Sequence, residues 1–344
     1  MILKNKKKLK NIIYINFLIK IYVKILFEKN GYMNLKNKKI NNQKEVDKLR
    51  KQKFKTGRVT VGKLEKILYK TFNVLDHGFV RLIDYMGDDS SIVQAARVSY
   101  GKGTKKINQD KNLINYLLSH RHSTPFEMNE IKLHVKLPIF VARQWIRHRT
   151  ANVNEYSARY SILEREFYLP ELKNIQTQSD INNQGRGTGL KTSKAKLKRE
   201  LIKKHSHNSF DNYSYLLNEN EEGEIIDLQE EGIARELARM TLPLNSYTQW
   251  YWKIDLHNLM HFLSLRFDPH AQLEIRVYAD IIMDIMKKWV PLTYDAFIMH
   301  RMNGFSLSST GVEFVKSLIK NKKFDKTSIS KRELNEITKR FDLA

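Results

Sequence analysis

Ile131, Leu133, Val135 and Leu137 alternate with charged or polar neighbours, and a strict two-residue period is the signature of a β-strand with one face in a core. Residues 128–137 are therefore expected to form a half-buried strand. Pro138 follows at once and suits the first turn of a helix, where its missing N–H is not needed. The helix it opens carries Phe140, Val141, Trp145 and Ile146, and it delivers the chain into Arg147-His148-Arg149. The aromatic-rich stretch 244–254 reads as another strand, and Asp255 is placed to cap a helix that runs through Leu265. Further helices are expected at 90–99, 108–119, 190–217, 230–240 and 271–289. Few strands, separated by helices that do not alternate regularly, give a mixed α+β layer fold. Residues 218–223 read as a turn, and the polar stretch 176–189 as a loop. The glycines around Gln184-Gly185-Arg186-Gly187 do not form a GxGxxG after a strand, so no dinucleotide fold follows. A plain surface loop is expected there, with a mobile lid as the alternative.

The net charge of +24 suggests nucleic acid until it is divided along the chain. Residues 1–75 hold 21 basic and 4 acidic side chains, whereas the other 269 residues hold 40 and 33. The excess belongs to a leader, and the remainder suits a small anionic substrate better than a track for DNA. Within the leader, residues 11–27 resemble a signal or membrane anchor, but Lys20 and Lys24 interrupt them and no small-residue cleavage site follows. A Lys/Asn/Ile-biased extension of low complexity is expected, with an amphipathic helix and a membrane tether as alternatives. Met33 offers a second start. The division expected is a leader over 1–75, a catalytic domain over 76–310 and a charged helical tail over 311–344.

The densest polar cluster spans 147–160, RHRTANVNEYSARY, with arginines, a histidine, a carboxylate, a serine and two tyrosines in fourteen residues. Arginine forks match phosphate oxygens, and Glu155 among them would stay ionised and hold them in place. A charge run is commonly a solvated face, yet hydrophobic segments flank this one on both sides. His257 and His261 lie four apart on one helix face; Asn258 stands where a metalloprotease helix needs Glu, so no metal is expected.

Arg147-His148-Arg149, seven residues, then Ser157 resembles the RHRx7S signature of flavin-dependent thymidylate synthases. The likeness extends upstream through AARVSYGKG (95–103) and HRHSTPFE (120–127), and downstream through ARMTLPLNSYTQWYW (238–252) and LRFDPHAQLEIRVYA (265–279). It covers roughly residues 75–300. The resemblance implies a mixed helix/antiparallel-sheet single catalytic domain that makes dTMP from dUMP. The carbon would come from 5,10-methylenetetrahydrofolate, and the hydride from FAD reduced by NADPH. It implies flavin contacts at Ser99, Thr124, Arg147, His148, Arg149, Glu155, Asp255, His257 and His261. The dUMP contacts it implies are Gln144, Arg147, Glu155, Ser157, Ala158, Arg159, Arg239 and Arg266. It further implies a cytoplasmic homotetramer with shared active sites.

Arg266 is the residue the resemblance assigns to ring activation, and the chemistry agrees. Uracil C5 is a poor nucleophile, and a guanidinium at the N3–C4=O edge would stabilise the developing ring anion. The other route to the same product adds a cysteine thiolate to C6. This chain has no cysteine, so that route is closed to it. The competing class is a nucleic-acid-binding module, suggested by total charge and by the basic-aromatic cluster. A colourless protein with steeply salt-dependent oligonucleotide binding would favour it.

Overall fold

The structure, a computed structural model, describes residues 47–48, 51–52, 54–98, 107–180 and 185–343. Ser99 and residues 11–27 lie outside the described residues. Among those described, no helix is long and apolar enough to cross a membrane.

Contacts divide the chain into two units. The larger takes Phe54–Tyr156, Phe167–Lys196 and Tyr247–Ala344. Its centre is an antiparallel sheet built from β1 (Thr71–Val74), β2 (Gly78–Met86), β3 (Glu130–Pro138), β4 (Asn152–Glu155) and, after the hairpin strands β5 (Gln176–Gln178) and β6 (Arg186–Gly189), β7 (Tyr247–Asp255). The sheet order is β1-β2-β3-β7-β4. β3 pairs with β7 so that Leu133 faces Trp252 and Val135 faces Trp250. The alternation read from the sequence thus puts its apolar residues opposite tryptophans, beneath helices Leu256–Arg266 and Leu273–Trp289.

β3 is more buried than the expected half. His134 and Lys136 on its other face are only 6% and 5% exposed. Aromatic neighbours and hydrogen bonds make that possible. The His134 ring stacks on Tyr251 at 4.9 Å and meets the Phe79 edge at 4.9 Å. Its nitrogens bond Gln249 Oε1 at 3.0 Å and Arg81 Nη1 at 3.3 Å. Gly78 opens β2 where a Cβ would lie 2.1 Å from the Tyr278 hydroxyl, so no larger residue fits.

Two boundaries differ from expectation. The last part of the segment read as leader belongs to the fold: Leu64, in the short helix Gly62–Glu65, is fully buried, and β1 pairs with β2. Basic side chains point outward there while the few apolar ones are packed, which composition alone does not reveal. Residues 176–189, read as loop, contain the β5/β6 hairpin. Gly187 lets those strands meet, because a Cβ there would lie 2.6 Å from Thr177 Oγ1.

The tail has its own small cluster, in which Phe314 of helix Ser309–Ile319 packs with Ile329 and with Ile337 of helix Lys331–Arg340.

The smaller unit takes the described residues before Phe54 together with Ser157–Glu166 and Leu197–Ser246. Phe210, Tyr213 and Leu217 of helix Thr192–Leu217 are buried in it with Ile162, Leu163 and Ala238. The helix expected over 230–240 is reduced to Arg235–Ala238 and a 3-10 turn, Arg239–Thr241. Asn218 takes one of the backbone groups such a helix would need, the Glu230 carbonyl. It donates from Nδ2 to the carbonyls of Asp227 and Glu230 at 2.6 and 2.8 Å and accepts from Asp227 N at 2.9 Å. The Glu230 carbonyl is thus spent on a side chain rather than on a helix, and Ile233 N is likewise taken up, donating to Leu216 O at 2.7 Å.

Candidate active site

The site in the larger unit begins with Trp145, fully buried among Trp250, Trp252, Phe262 and Tyr278. That anchor ends helix Ile139–Trp145 and throws the next residues outward: Arg147 and Arg149 are exposed, and His148 is half-buried. Neither arginine has an acidic partner among the described residues, so both guanidinium forks remain available to an anion.

His148 turns back. Its ring lies against Phe262 at 5.0 Å and His261 at 5.9 Å. Arg266 donates from Nε to His148 Nε2 at 3.1 Å. An Nε2 that accepts must be unprotonated, so the ring proton sits on Nδ1. Burial, then the neighbouring Arg266 and His261, hold His148 near pKa 4. Burial likewise lowers Arg266 below its ordinary range.

Helix Leu256–Arg266 presents this face because its other side is committed to the core. Leu256, Leu259, Met260, Phe262 and Leu263 are buried, which leaves His257 half-buried and His261 exposed one turn apart. Asp255 caps the helix as expected, accepting from Asn258 N at 2.9 Å and from Asn258 Nδ2 at 2.7 Å. Thr124 is exposed at the start of the short helix Thr124–Glu127, which packs on helix Leu256–Arg266. Glu155 ends β4 and accepts from the buried Thr248 Oγ1 at 2.7 Å.

Gln144 belongs to a chain of side chains that sequence reasoning missed. Its Nε2 donates to Gln272 Oε1, and Gln272 Nε2 donates to Glu274 Oε2 at 2.8 Å. Glu274 is 1% exposed and takes both oxygens' worth of bonds from Arg186 Nη2 at 2.5 Å, plus the Tyr168 hydroxyl at 3.0 Å. Burial pushes the Glu274 carboxyl up, but the bonds from Arg186 and Gln272 outweigh it and hold the group below the usual range. The signal available was AQLEIR within the recognised motif, whose Glu is an unexpected charge on a helix face otherwise made of apolar residues. A cleft of about 670 Å³ opens beside it, lined by Gln178, Arg186, His270, Gln272 and Arg276 among others.

Ser157, Ala158, Arg159 and Arg239 lie in the smaller unit. There Arg159 N donates to Ser157 Oγ at 3.3 Å, and Glu236 joins the two arginines, 3.6 Å from Arg159 Nε and receiving Arg239 Nε on its backbone carbonyl at 3.3 Å.

The donor set fits a flavin dinucleotide. Two arginine forks without an acidic partner among the described residues suit a pyrophosphate, and the His148, His257 and His261 side chains with Thr124 and the Asp255 cap offer hydrogen-bonding surface for the rings.

Comparison with known proteins agrees. Residues 81–292 match the family model described as thymidylate synthase complementing protein. The flavin-dependent thymidylate synthase of Rickettsia bellii (strain RML369-C) is 60% identical over 287 residues, covering 83% of this chain and 98% of that protein. That of Gluconobacter oxydans (strain 621H) is 54% identical over 295 residues, covering 85% and 94%. Among solved structures, a UMP/dUMP methylase, PolB from Streptomyces cacaoi, bound with 5-Br UMP, is 31% identical with a TM-score of 0.57, covering 67% of this chain and 97% of that one. The matched stretch contains the whole arginine–histidine cluster and its Arg266 partner, and the chain belongs to the flavin-dependent thymidylate synthase family.

Proposed function

We propose that this protein converts dUMP to dTMP by reductive methylation, with 5,10-methylenetetrahydrofolate as carbon donor and NADPH as reductant. The observation that carries the reading is the pairing of Arg266 with a neutral His148, beside Arg147 and Arg149, which are exposed and have no acidic partner among the described residues. Bound FAD would supply the hydride that completes the methyl group.

The chain's own residues bind, orient and polarise. Arg147 and Arg149 hold anionic phosphates, with His148, His257, His261, Thr124 and Asp255 as further flavin contacts; Ser99 belongs to the same proposed set. Gln144, Glu155, Ser157, Ala158, Arg159 and Arg239 hold dUMP. Arg266 stands at the uracil N3–C4=O edge, where its charge stabilises the ring anion as C5 becomes nucleophilic. His148 accepts the Arg266 Nε–H, fixing the guanidinium plane without adding a competing positive charge.

The protein acts as a homotetramer with shared sites. Support comes from the smaller unit, where Tyr160, Met240 and Leu244 are 72%, 75% and 67% exposed beside the proposed nucleotide contacts; apolar groups so placed suit a partner surface. A cysteine-free chain suits a reducing cytoplasm. Purified protein reconstituted with FAD is expected to show flavin absorbance that NADPH bleaches, and to release tritium from C5-labelled dUMP. Failure of both ends the proposal.

A further inference from the structure

We infer that Arg186, on the β5/β6 hairpin, is a positioning residue for nucleotide binding, acting through Glu274 and Gln272 to fix the amide of Gln144. The inference rests on the proposed role of Gln144 as a dUMP contact.

Glu274 is held as a carboxylate by Arg186, whose Nη2 lies 2.5 Å from both of its oxygens. A carboxylate only accepts hydrogen bonds, so Gln272 must turn its NH2 towards Glu274, and its carbonyl then faces the other way. That carbonyl can only be met by a donor, and Gln144 meets it with Nε2. One amide orientation follows from the next, and Gln144 is left presenting its own carbonyl and its second N–H as a fixed pair. The charge that sets this order is itself set by a residue 88 positions away in sequence from Glu274. Tyr168 donates to Glu274 as well, but a neutral hydroxyl cannot hold the carboxylate ionised in so buried a place. The hairpin thus serves as a strap whose guanidinium orders an amide relay, and Arg186 needs no contact with the substrate.

Full-length protein loaded with FAD tests this with Arg186→Ala, Arg186→Lys and the double variant Arg186→Ala/Glu274→Gln. Flavin per protomer, kcat and the KM for dUMP are read together. Arg186→Ala is expected to raise KM for dUMP about tenfold, with kcat within about twofold and flavin content unchanged. Arg186→Lys should recover part of the loss, since it restores the cation without the fork. In the double variant no charge is left buried, so folding is expected to match the wild type. Its neutral amide can accept or donate towards Gln272, so KM should stay raised. A structural role would predict the reverse, with KM restored together with stability. Restored KM in the double variant overturns the inference, as does an active, folded Arg186→Ala enzyme with wild-type KM; if Arg186→Ala does not fold, the double variant decides alone. A wild-type protein that turns over no dUMP instead overturns the functional reading, and this inference with it.

Discussion

Arg266 and His148, 118 positions apart in sequence, meet through a single hydrogen bond of 3.1 Å from guanidinium Nε to imidazole Nε2. The bond uses the one guanidinium N–H that points back along the side chain. Both Nη groups of Arg266 therefore remain to face a ligand, as a flat fork whose plane the histidine sets.

Arg266→Ala is expected to lower dTMP formation at least about a hundredfold, the usual cost of removing one preorganised electrostatic stabiliser. Flavin content should change little, since Arg147 and Arg149 are untouched. Arg266→Lys keeps the charge but loses the fork, and should recover only a small part of the rate. Steady-state turnover and the visible spectrum of each variant check this; near-normal turnover in the alanine variant removes Arg266 from the chemistry.

Acid should destabilise the fold through two histidines. His134 is held near pKa 4, by burial first and then by Arg81, against 6.5 for the free side chain; His148 is held near 4 for like reasons. Between about pH 6.5 and 4 the unfolded chain binds protons that the folded chain does not, so stability is full above pH 6.5 and falls as pH drops. For the well-buried His134 the loss is on the order of 2–3 kcal/mol. Urea midpoints between pH 7.5 and 4.5 should fall accordingly, and His134→Gln should flatten the slope. Protonating His148 would also remove the acceptor for Arg266, so activity should persist well below pH 6.5. An acid limb centred near 6.5 would mean that His148 titrates as a free histidine.

Some of this was legible in the sequence because it is local. The two-residue period of β3 and the Asp255 cap each depend on neighbours within a few positions and appear where expected, whereas Pro138, expected in the first helical turn, closes β3 and stands in extended backbone just before the helix. The arginine–histidine cluster was equally visible, since its residues are contiguous. The hairpin was not, because β5 and β6 are short, polar and joined by chain of loop composition; it is anchored by Arg186 to a carboxylate far along the sequence. The helix expected over 230–240 failed for a similar reason, as one competing partner, for the Glu230 carbonyl, was the side chain of Asn218. Pairings such as Gln144 with Gln272 are products of tertiary packing, and no spacing rule marks them.

Asp255 caps a helix and is proposed to touch the flavin, and the two duties separate by substitution. Asparagine caps about as well as aspartate, whereas alanine costs about 1 kcal/mol. Asp255→Asn is therefore expected to leave the urea midpoint nearly unchanged, and Asp255→Ala to lower it. If Asp255→Asn weakens FAD retention at constant stability, the carboxylate meets the cofactor; if both properties follow the cap, its role is structural.

Trp145 links the core to the cluster, because it is the last residue of its helix and Arg147 stands two positions on. Its ring is fully buried and touches Trp252 and Phe262 at centroid distances of 5.1 and 4.8 Å. Trp145→Ala should cost about 3–5 kcal/mol through the cavity it leaves. The indole N–H has no hydrogen-bond partner among the described residues, so Trp145→Phe removes a buried, unsatisfied donor while keeping an aromatic ring in place, which offsets part of the packing loss. The phenylalanine variant is thus expected to lose under about 2 kcal/mol, within the range of most point mutants, and to retain FAD. The alanine variant should release FAD even at low urea, where its secondary structure persists, because the helix end that aims Arg147, His148 and Arg149 is no longer pinned. Circular dichroism and flavin fluorescence followed through one urea titration distinguish these outcomes. If flavin release and unfolding coincide in both variants, Trp145 supports the fold as a whole and does not specifically aim the arginines.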